Sequence, residues 1–207
     1  VAIRDVWTEI PYKLSAGIYF AALGLGFMFI EVCLIQRLTL FLGYPTYSLT
    51  VTLFSLLIST GIGSLLSERW GDDRNRTLGA LLGTLVVLVV FYRFGLTPLV
   101  DHAVGFPFAL RVVLTILVLL PLGLVLGSFM PIGLRAVSSV TTHHERFVAW
   151  CWAVNGFCSV VASVLATILA MTTGFNTVIL AGLVCYLIGV TAFLRLPQVE
   201  TTATPTA

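Results

Sequence analysis

A glutamate at position 31 interrupts the first long apolar segment of the chain. Gln36 and Arg37 follow it in the same segment, GLGFMFIEVCLIQRLTLFLG. An ionisable side chain in such a segment is costly to bury in lipid, so it usually faces a polar partner or a wet cavity. Arg93 and Arg111 are expected at the same end of the fold, which makes them the expected partners of Glu31. Arg37 is six residues on, about 240° around a helix, and is a poor partner.

Two interpretations of Glu31 follow from this position. In one, a buried ion pair or hydrogen bond fixes how its helix packs; in the other, the carboxyl binds a transported solute. Gln36 and Asn155 are neutral polar residues in or beside apolar segments, where interhelical hydrogen bonding is the usual role. The candidate intramembrane functional or ion-pair residues are therefore Glu31, Gln36, Arg37, Arg93, Arg111 and Asn155.

The other chemically reactive side chains do not predict catalysis or cofactor binding. His143, His144 and Glu145 are consecutive, so their side chains would point apart, and a solvated loop is the simpler interpretation. The four cysteines lie in apolar segments without a CxxC pair, which favours packing over zinc binding or disulfides. Gly24 and Gly26 do not follow a strand, so they do not form a dinucleotide-binding motif. We predict no catalytic residue, no metal site and no cofactor.

The composition indicates that lipid surrounds most of the chain. Hydrophobic residues make up 58% of it and charged residues only 10%, and the mean hydropathy is +1.06. A soluble domain is about half apolar and a quarter charged. A core of 207 residues cannot hide this much apolar surface from solvent. The predicted fold class is all-α, a polytopic membrane protein with six transmembrane helices.

The apolar segments predict a transmembrane domain over residues 14–195. An interfacial lead-in over residues 1–13 comes before it, and a polar, disordered tail over residues 196–207 follows. The predicted spans are residues 14–35 or 14–42, 47–66, 77–94, 108–134, 147–171 and 177–194.

Loops and irregularities are predicted from polar stretches and prolines. Residues 68–76 and 135–146 are the two most polar internal stretches, and residues 98–107 lie between two prolines, so all three are expected to be loops. Pro121 and Pro131 fall inside the fourth span, where each removes a backbone donor and predicts a kink.

Small residues recur at every fourth position in the second, fourth and fifth spans, which predicts close helix approach. They are Ser55, Ser59, Gly63 and Ser67 in the second span, Gly123 and Gly127 in the fourth, and Cys151, Asn155, Ser159, Ser163 and Thr167 in the fifth. Gly79 and Gly83 have the same spacing in the third span.

The distribution of basic residues predicts an orientation in the membrane. With six spans, eight of the 11 Lys and Arg residues lie on the face that holds both termini, and Arg37, Arg93 and Arg111 lie on the opposite face. The positive-inside rule then places both termini in the cytoplasm. The net charge of +2 and the lack of a basic stretch with interleaved aromatics argue against a nucleic-acid partner.

Three segments carry a resemblance to a known family. They are YFAALGLGFMFIEVCLIQRLTLFLGYPTYSLTVTLFSLLISTGIGSLLS (residues 19–67), LGSFMPIGLRAV (126–137) and WAVNGFCSVVASVLA (152–166). They resemble the transmembrane part of the bacterial membrane-embedded spermidine synthase-like proteins. In that family an aminopropyltransferase-like, Rossmann-type domain is fused to transmembrane segments, and it would precede Val1. The resemblance implies a location in the bacterial inner membrane.

The resemblance covers only the membrane part of the family's architecture. No catalytic residue of the soluble domain has a counterpart here, so any aminopropyl transfer would need a domain outside this chain. The first functional hypothesis is a non-catalytic anchor or scaffold, with membrane lipid and a protein as partners, the protein being an upstream domain or other membrane subunits. The alternative is a transporter or channel for a small solute, such as a cationic polyamine, that uses Glu31.

Overall fold

The chain folds as a bundle of long apolar helices. A computed structural model describes residues 13–70, 74–138 and 144–195. Among these residues there are seven α-helices and no strand. The helices are α1 (Lys13–Leu42), α2 (Pro45–Leu66), α3 (Arg74–Phe94), α4 (Leu96–Ala103), α5 (Phe108–Ser138), α6 (His144–Thr173) and α7 (Phe175–Leu194).

Six of these helices are long and apolar enough to cross a membrane, and only α4 is too short. The shortest of the six, α7, has 20 residues, which at about 1.5 Å per residue matches a hydrocarbon core of about 30 Å. The predicted fold class is therefore confirmed: the chain is an all-α, polytopic integral membrane protein. We call the end of the bundle where α1 begins and α7 ends the terminal face, and the other end the opposite face.

Helix α1 lies at the centre of the bundle. It packs most extensively against α7 and α6, and also against α2 and α5. Its buried residues point in all directions around the helix, which fits a helix surrounded by neighbours. Helix α2 packs mainly on α5, and α3 contacts α7 and α5.

Two glycines reverse the chain at the opposite face. Gly43 joins α1 to α2 with φ of 91°, and Gly174 joins α6 to α7 with φ of 86°. This region of backbone conformation is open to glycine without the Cβ clash that other residues meet. Pro45 follows in the first turn of α2, where its missing N–H costs nothing.

The structure corrects the predicted loop over residues 98–107. Leu96–Ala103 forms the short helix α4, and His102 lies in its last turn rather than in a loop. Pro98 does not break the helix because it lies in the first turn, where no backbone N–H is needed. Only the segment after α4 remains non-helical, up to the start of α5 at Phe108.

Helix ends differ from the predicted spans at several points. Helix α1 takes the longer of the two predicted extents and ends at Leu42, and α5 continues without interruption through Pro121 and Pro131 to Ser138. The predicted polar loops are shorter, because α3 begins at Arg74 and α6 at His144. The predicted lead-in and tail lie outside the described residues, as do residues 71–73 and 139–143, which include His143.

Candidate functional site

The Glu31 side chain is buried in α1, with 6% of its surface exposed. It lies seven residues after Gly24, so two helical turns separate them on one face of α1. At Gly24 an added Cβ would overlap the backbone oxygen of Asn155, so this face is directed towards α6. Within the described residues no hydrogen bond or ion pair joins Glu31 to a partner.

The two arginines expected to pair with Glu31 are engaged elsewhere. Arg111 Nη1 donates a hydrogen bond to the Phe41 backbone oxygen at 2.7 Å, while its Nε is buried without a partner. The Arg93 guanidinium lies 4.9 Å from the centre of the Phe94 ring. The expected ion pair of Glu31 with Arg93 or Arg111 is thus not formed in the part of the chain that the structure describes.

Arg37 connects α1 to the α3–α4 corner. Its Nη1 donates to the Tyr92 backbone oxygen at 3.1 Å, and its Nη2 donates to Thr97 Oγ1 at 2.9 Å. The guanidinium therefore bonds to a carbonyl at the end of α3, where helical carbonyls lack intrahelical partners, and to a hydroxyl of α4. Gln36 is half-buried and has no hydrogen bond to another described residue.

Asn155 forms the interhelical hydrogen bond expected of it. Its Nδ2 donates to the Phe20 backbone oxygen of α1 at 3.1 Å. The approach is close because Gly24 has no side chain where it meets the Asn155 backbone. Asn155 is thus a packing contact between α6 and α1. It meets α1 at Phe20 and Gly24, nearer the terminal face than Glu31 and Arg37.

Two buried tyrosines make long-range contacts that the sequence reasoning did not identify. Tyr19 donates from its hydroxyl to the Phe129 backbone oxygen at 2.7 Å, and Tyr92 donates to that of Val118 at 2.6 Å. Both acceptors lie on α5 within three residues of a proline, Pro131 or Pro121, where the backbone hydrogen-bond ladder is perturbed. The sequence did carry a signal for these contacts: each tyrosine lies within an apolar span, and another span of the same chain contains prolines.

Helices α2 and α5 meet along a seam of small residues. An added Cβ at Gly63 would overlap the Leu124 backbone, and one at Gly127 would overlap the Thr60 backbone. Ser128 Oγ donates to the Gly63 backbone oxygen at 3.0 Å. Ser55, Ser59, Gly63 and Ser67 are all buried, so the small-residue face predicted for the second span is the one that packs.

Among the described residues, cavities open between the helices at two places of interest. The first, about 780 Å³, lies between α2, α3 and α5, and we call it the α2–α3–α5 groove. The second, about 590 Å³, lies between α1, α2, α5 and α6 and contains Asn155 and Ser159. Ser159 Oγ donates to the Asn155 backbone oxygen at 2.9 Å, so this hydroxyl is satisfied within its own helix. Glu31 lines neither cavity.

The described residues contain no group of three or more His, Cys, Asp or Glu side chains that could hold a metal ion. Cys33 and Cys151 are buried and Cys158 and Cys185 half-buried, all as free thiols. Cys33 Sγ donates to the Phe175 backbone oxygen at 3.2 Å, which gives it a packing role between α1 and α7.

Comparisons with known proteins add no relative to this description. No family model, no curated protein and no solved structure matches the chain.

Proposed function

We propose that the chain is a non-catalytic membrane module that anchors or scaffolds a catalytic domain or a larger membrane assembly. The main support is how its intramembrane polar groups are used. Tyr19, Tyr92, Ser128 and Asn155 each bond to the backbone of a neighbouring helix. Of these four, only Asn155 also lines one of the two cavities described above. Such internal bonds rigidify a bundle, which suits a platform for other proteins.

The resemblance to spermidine synthase-like proteins belongs to this proposal. It would make the natural partner a Rossmann-type domain, and it would place the module in the bacterial inner membrane with both termini in the cytoplasm. The terminal face carries the basic residues on which this orientation depends; those among the described residues are Lys13, Arg69, Arg74, Arg76, Arg135, Arg146 and Arg195.

A transporter for a small, cationic solute is the second candidate, and one observation favours it. Glu31 is buried in a spanning helix without a described cation beside it. An intramembrane carboxyl of this kind is a functional-site hypothesis by default. The nearest described cation along the same helix, Arg37, is bonded to α3 and α4 instead.

Substitution of Glu31 by Gln separates the two candidates. The purified chain is reconstituted into lipid vesicles, and uptake of labelled spermidine is compared with that of empty vesicles. As a scaffold, neither wild type nor Glu31→Gln raises uptake above empty vesicles. Uptake by wild type that Glu31→Gln abolishes, with the helical content retained, would establish transport instead. Asn155→Leu serves as the matched control, because it removes a packing bond and leaves the carboxyl in place.

The scaffold itself is tested by its partners. The chain is cross-linked in its native membrane and purified in a mild detergent, and the size and composition of the cross-linked species are measured. We expect a stoichiometric complex with a soluble domain or other membrane subunits. Recovery of the chain alone, from membranes in which it is at its natural level, would contradict this proposal.

A further inference from the structure

The α2–α3–α5 groove has a mainly apolar depth and a polar end. Its depth is lined by Gly63, Ala80, Leu81, Thr84, Pro121, Leu124 and Val125, and the Thr84 hydroxyl donates to the Ala80 backbone oxygen within α3. Leu66, Trp70, Arg76 and Thr77 line the end at the terminal face. Among the described residues, no carboxylate contributes to the lining, so Arg76 is its one charged group.

The dimensions and position of this groove match an amphipathic molecule. Its volume of about 780 Å³ lies within the roughly 300–1,000 Å³ of small-molecule sites. From Arg76 to Thr84 the lining follows α3 for eight residues, or about 12 Å from the membrane surface inwards. Trp70 stands at the level where indole rings settle between headgroups and acyl chains.

Small residues create the concavity of the groove. Ala80 is exposed on α3 and lines the groove with only a methyl group. Gly63 brings the backbones of α2 and α5 together and so forms the floor. Larger side chains on α3 would close this space against α5.

We propose that the α2–α3–α5 groove binds one anionic phospholipid, with an acyl chain along its apolar depth and the phosphate at Arg76. A guanidinium pairs well with a phosphate because its N–H donors match two oxygens at once. Arg76 also makes a contact within the protein, and its five donors allow it to hold both partners. This proposal does not depend on whether the bundle acts as a scaffold or a transporter.

Native mass spectrometry of the purified chain tests the proposal. Phosphatidylglycerol and phosphatidylcholine with identical acyl chains are titrated separately, and the dissociation constant of the first bound lipid is measured. We expect tighter binding of phosphatidylglycerol. Arg76→Gln is expected to weaken its binding about tenfold, as loss of a charge-assisted hydrogen bond does, and to leave phosphatidylcholine binding unchanged.

Arg146→Gln is the matched control, because it removes the same charge from the same face at an exposed position outside the groove. An equal loss in Arg76→Gln and Arg146→Gln would overturn the proposal in favour of general surface attraction. Equal affinity for the two lipids in wild type would overturn it as well.

A second variant keeps the test valid if Arg76→Gln misfolds. Ala80→Leu fills the apolar depth from an exposed helix position that tolerates leucine. It is expected to weaken the binding of both lipids, while circular dichroism shows unchanged helicity. Unchanged lipid binding in Ala80→Leu would overturn the proposal. So would displacement of phosphatidylglycerol by water-soluble glycerol phosphate, which would identify a site for a free anion.

Discussion

At the scale of single residues, the bundle depends on side chains that bond to the backbone of other helices. Arg37, Arg111 and Arg135 each donate to a carbonyl at the end of a neighbouring helix. The last carbonyls of a helix have no intrahelical donor, and in lipid no water replaces it. These arginines therefore act as caps supplied by other helices. Arg111, one of the two expected partners of Glu31, is engaged in this way.

Tyr92→Phe tests this use of side chains. It removes only the hydroxyl that donates to the Val118 backbone oxygen at 2.6 Å, and the ring stays buried. We expect the free energy of unfolding to fall by about 0.6 kcal/mol, the average for hydrogen bonds between membrane helices, and by no more than about 1.7 kcal/mol. Unfolding in mixed micelles with increasing sodium dodecyl sulfate measures it.

The control for Tyr92→Phe is Tyr44→Phe. Tyr44 is 66% exposed just before α2, and among the described residues its hydroxyl has no hydrogen-bond partner. Its substitution is expected to leave the unfolding free energy unchanged within error. If the two variants lose equal amounts, the Tyr92 hydroxyl does not stabilise α5.

At the scale of helices, the small-residue seam decides which pairs pack closely. Lipid tails are as apolar as leucine, so the hydrophobic effect does not drive helices together within a membrane. They associate through close van der Waals contact instead. Helices α2 and α5 approach until backbone meets backbone at Gly63 and Gly127. Gly79 and Gly83 of α3 are four residues apart, as are Gly123 and Gly127 of α5, but they face no neighbour, whereas Gly123 and Gly127 meet α2.

Gly63→Ala is expected to separate α2 from α5. Its Cβ would overlap backbone atoms of Leu124, which cannot move aside as the tip of a side chain can. Overpacking of this kind costs about 1–3 kcal/mol, so the variant should unfold at a lower temperature than wild type. Thermal unfolding in detergent, followed by circular dichroism, measures the loss.

Gly61→Ala is the matched control for the seam. It lies two residues away on the same helix, and nothing is within 4 Å of its added Cβ. In an exposed helical position alanine is favoured over glycine by about 1 kcal/mol. We therefore expect Gly61→Ala to be neutral or stabilising, and a loss as large as that of Gly63→Ala would contradict the seam.

At the scale of the whole molecule, α1 holds the bundle together and α6 is largely open to lipid. Helix α1 packs against α2, α5, α6 and α7, and Arg37 bonds it to α3. Helix α6 exposes Phe157, Val160 and Met171, each by more than two thirds. In a membrane this exposed apolar surface is compatible with lipid contact and needs no other explanation.

The alternation of six spanning helices predicts where labels can reach. Asp101 lies at the opposite face and Glu145 at the terminal face, and both are exposed. With the termini in the cytoplasm, Asp101→Cys should react with a membrane-impermeant maleimide in intact cells, and Glu145→Cys only after permeabilisation. Wild type is the blank, because its four cysteines lie within spanning helices. The reverse pattern would invert the proposed orientation.

A feature of the fold could be predicted from the sequence where it depends on one segment alone, and less well where it depends on two packed helices. The six spans could be predicted because lipid demands about 20 apolar residues in succession, whatever the tertiary arrangement. The face of Ser55 and Gly63 was predicted correctly as a packing face. The face predicted for the fifth span held only in part, since Cys151 is buried, Thr167 is exposed and Ala162 and Ala166 are buried beside it.

By itself, the sequence determined the solvent, the number of crossings and the prolines and glycines at which backbone bonding changes. The tertiary structure alone decided the partner of each polar group. Arg111 reaches the end of α1 and Asn155 a carbonyl of α1, while Glu31 is left without a described partner. In a soluble protein, the periodicity of apolar residues shows which face of a helix packs on the core. In lipid every face of a helix is apolar, so this signal does not identify the packed face. Small residues that let two backbones approach therefore decide which helix faces meet. Such an approach depends on both helices of a pair, so it cannot be read from one span alone.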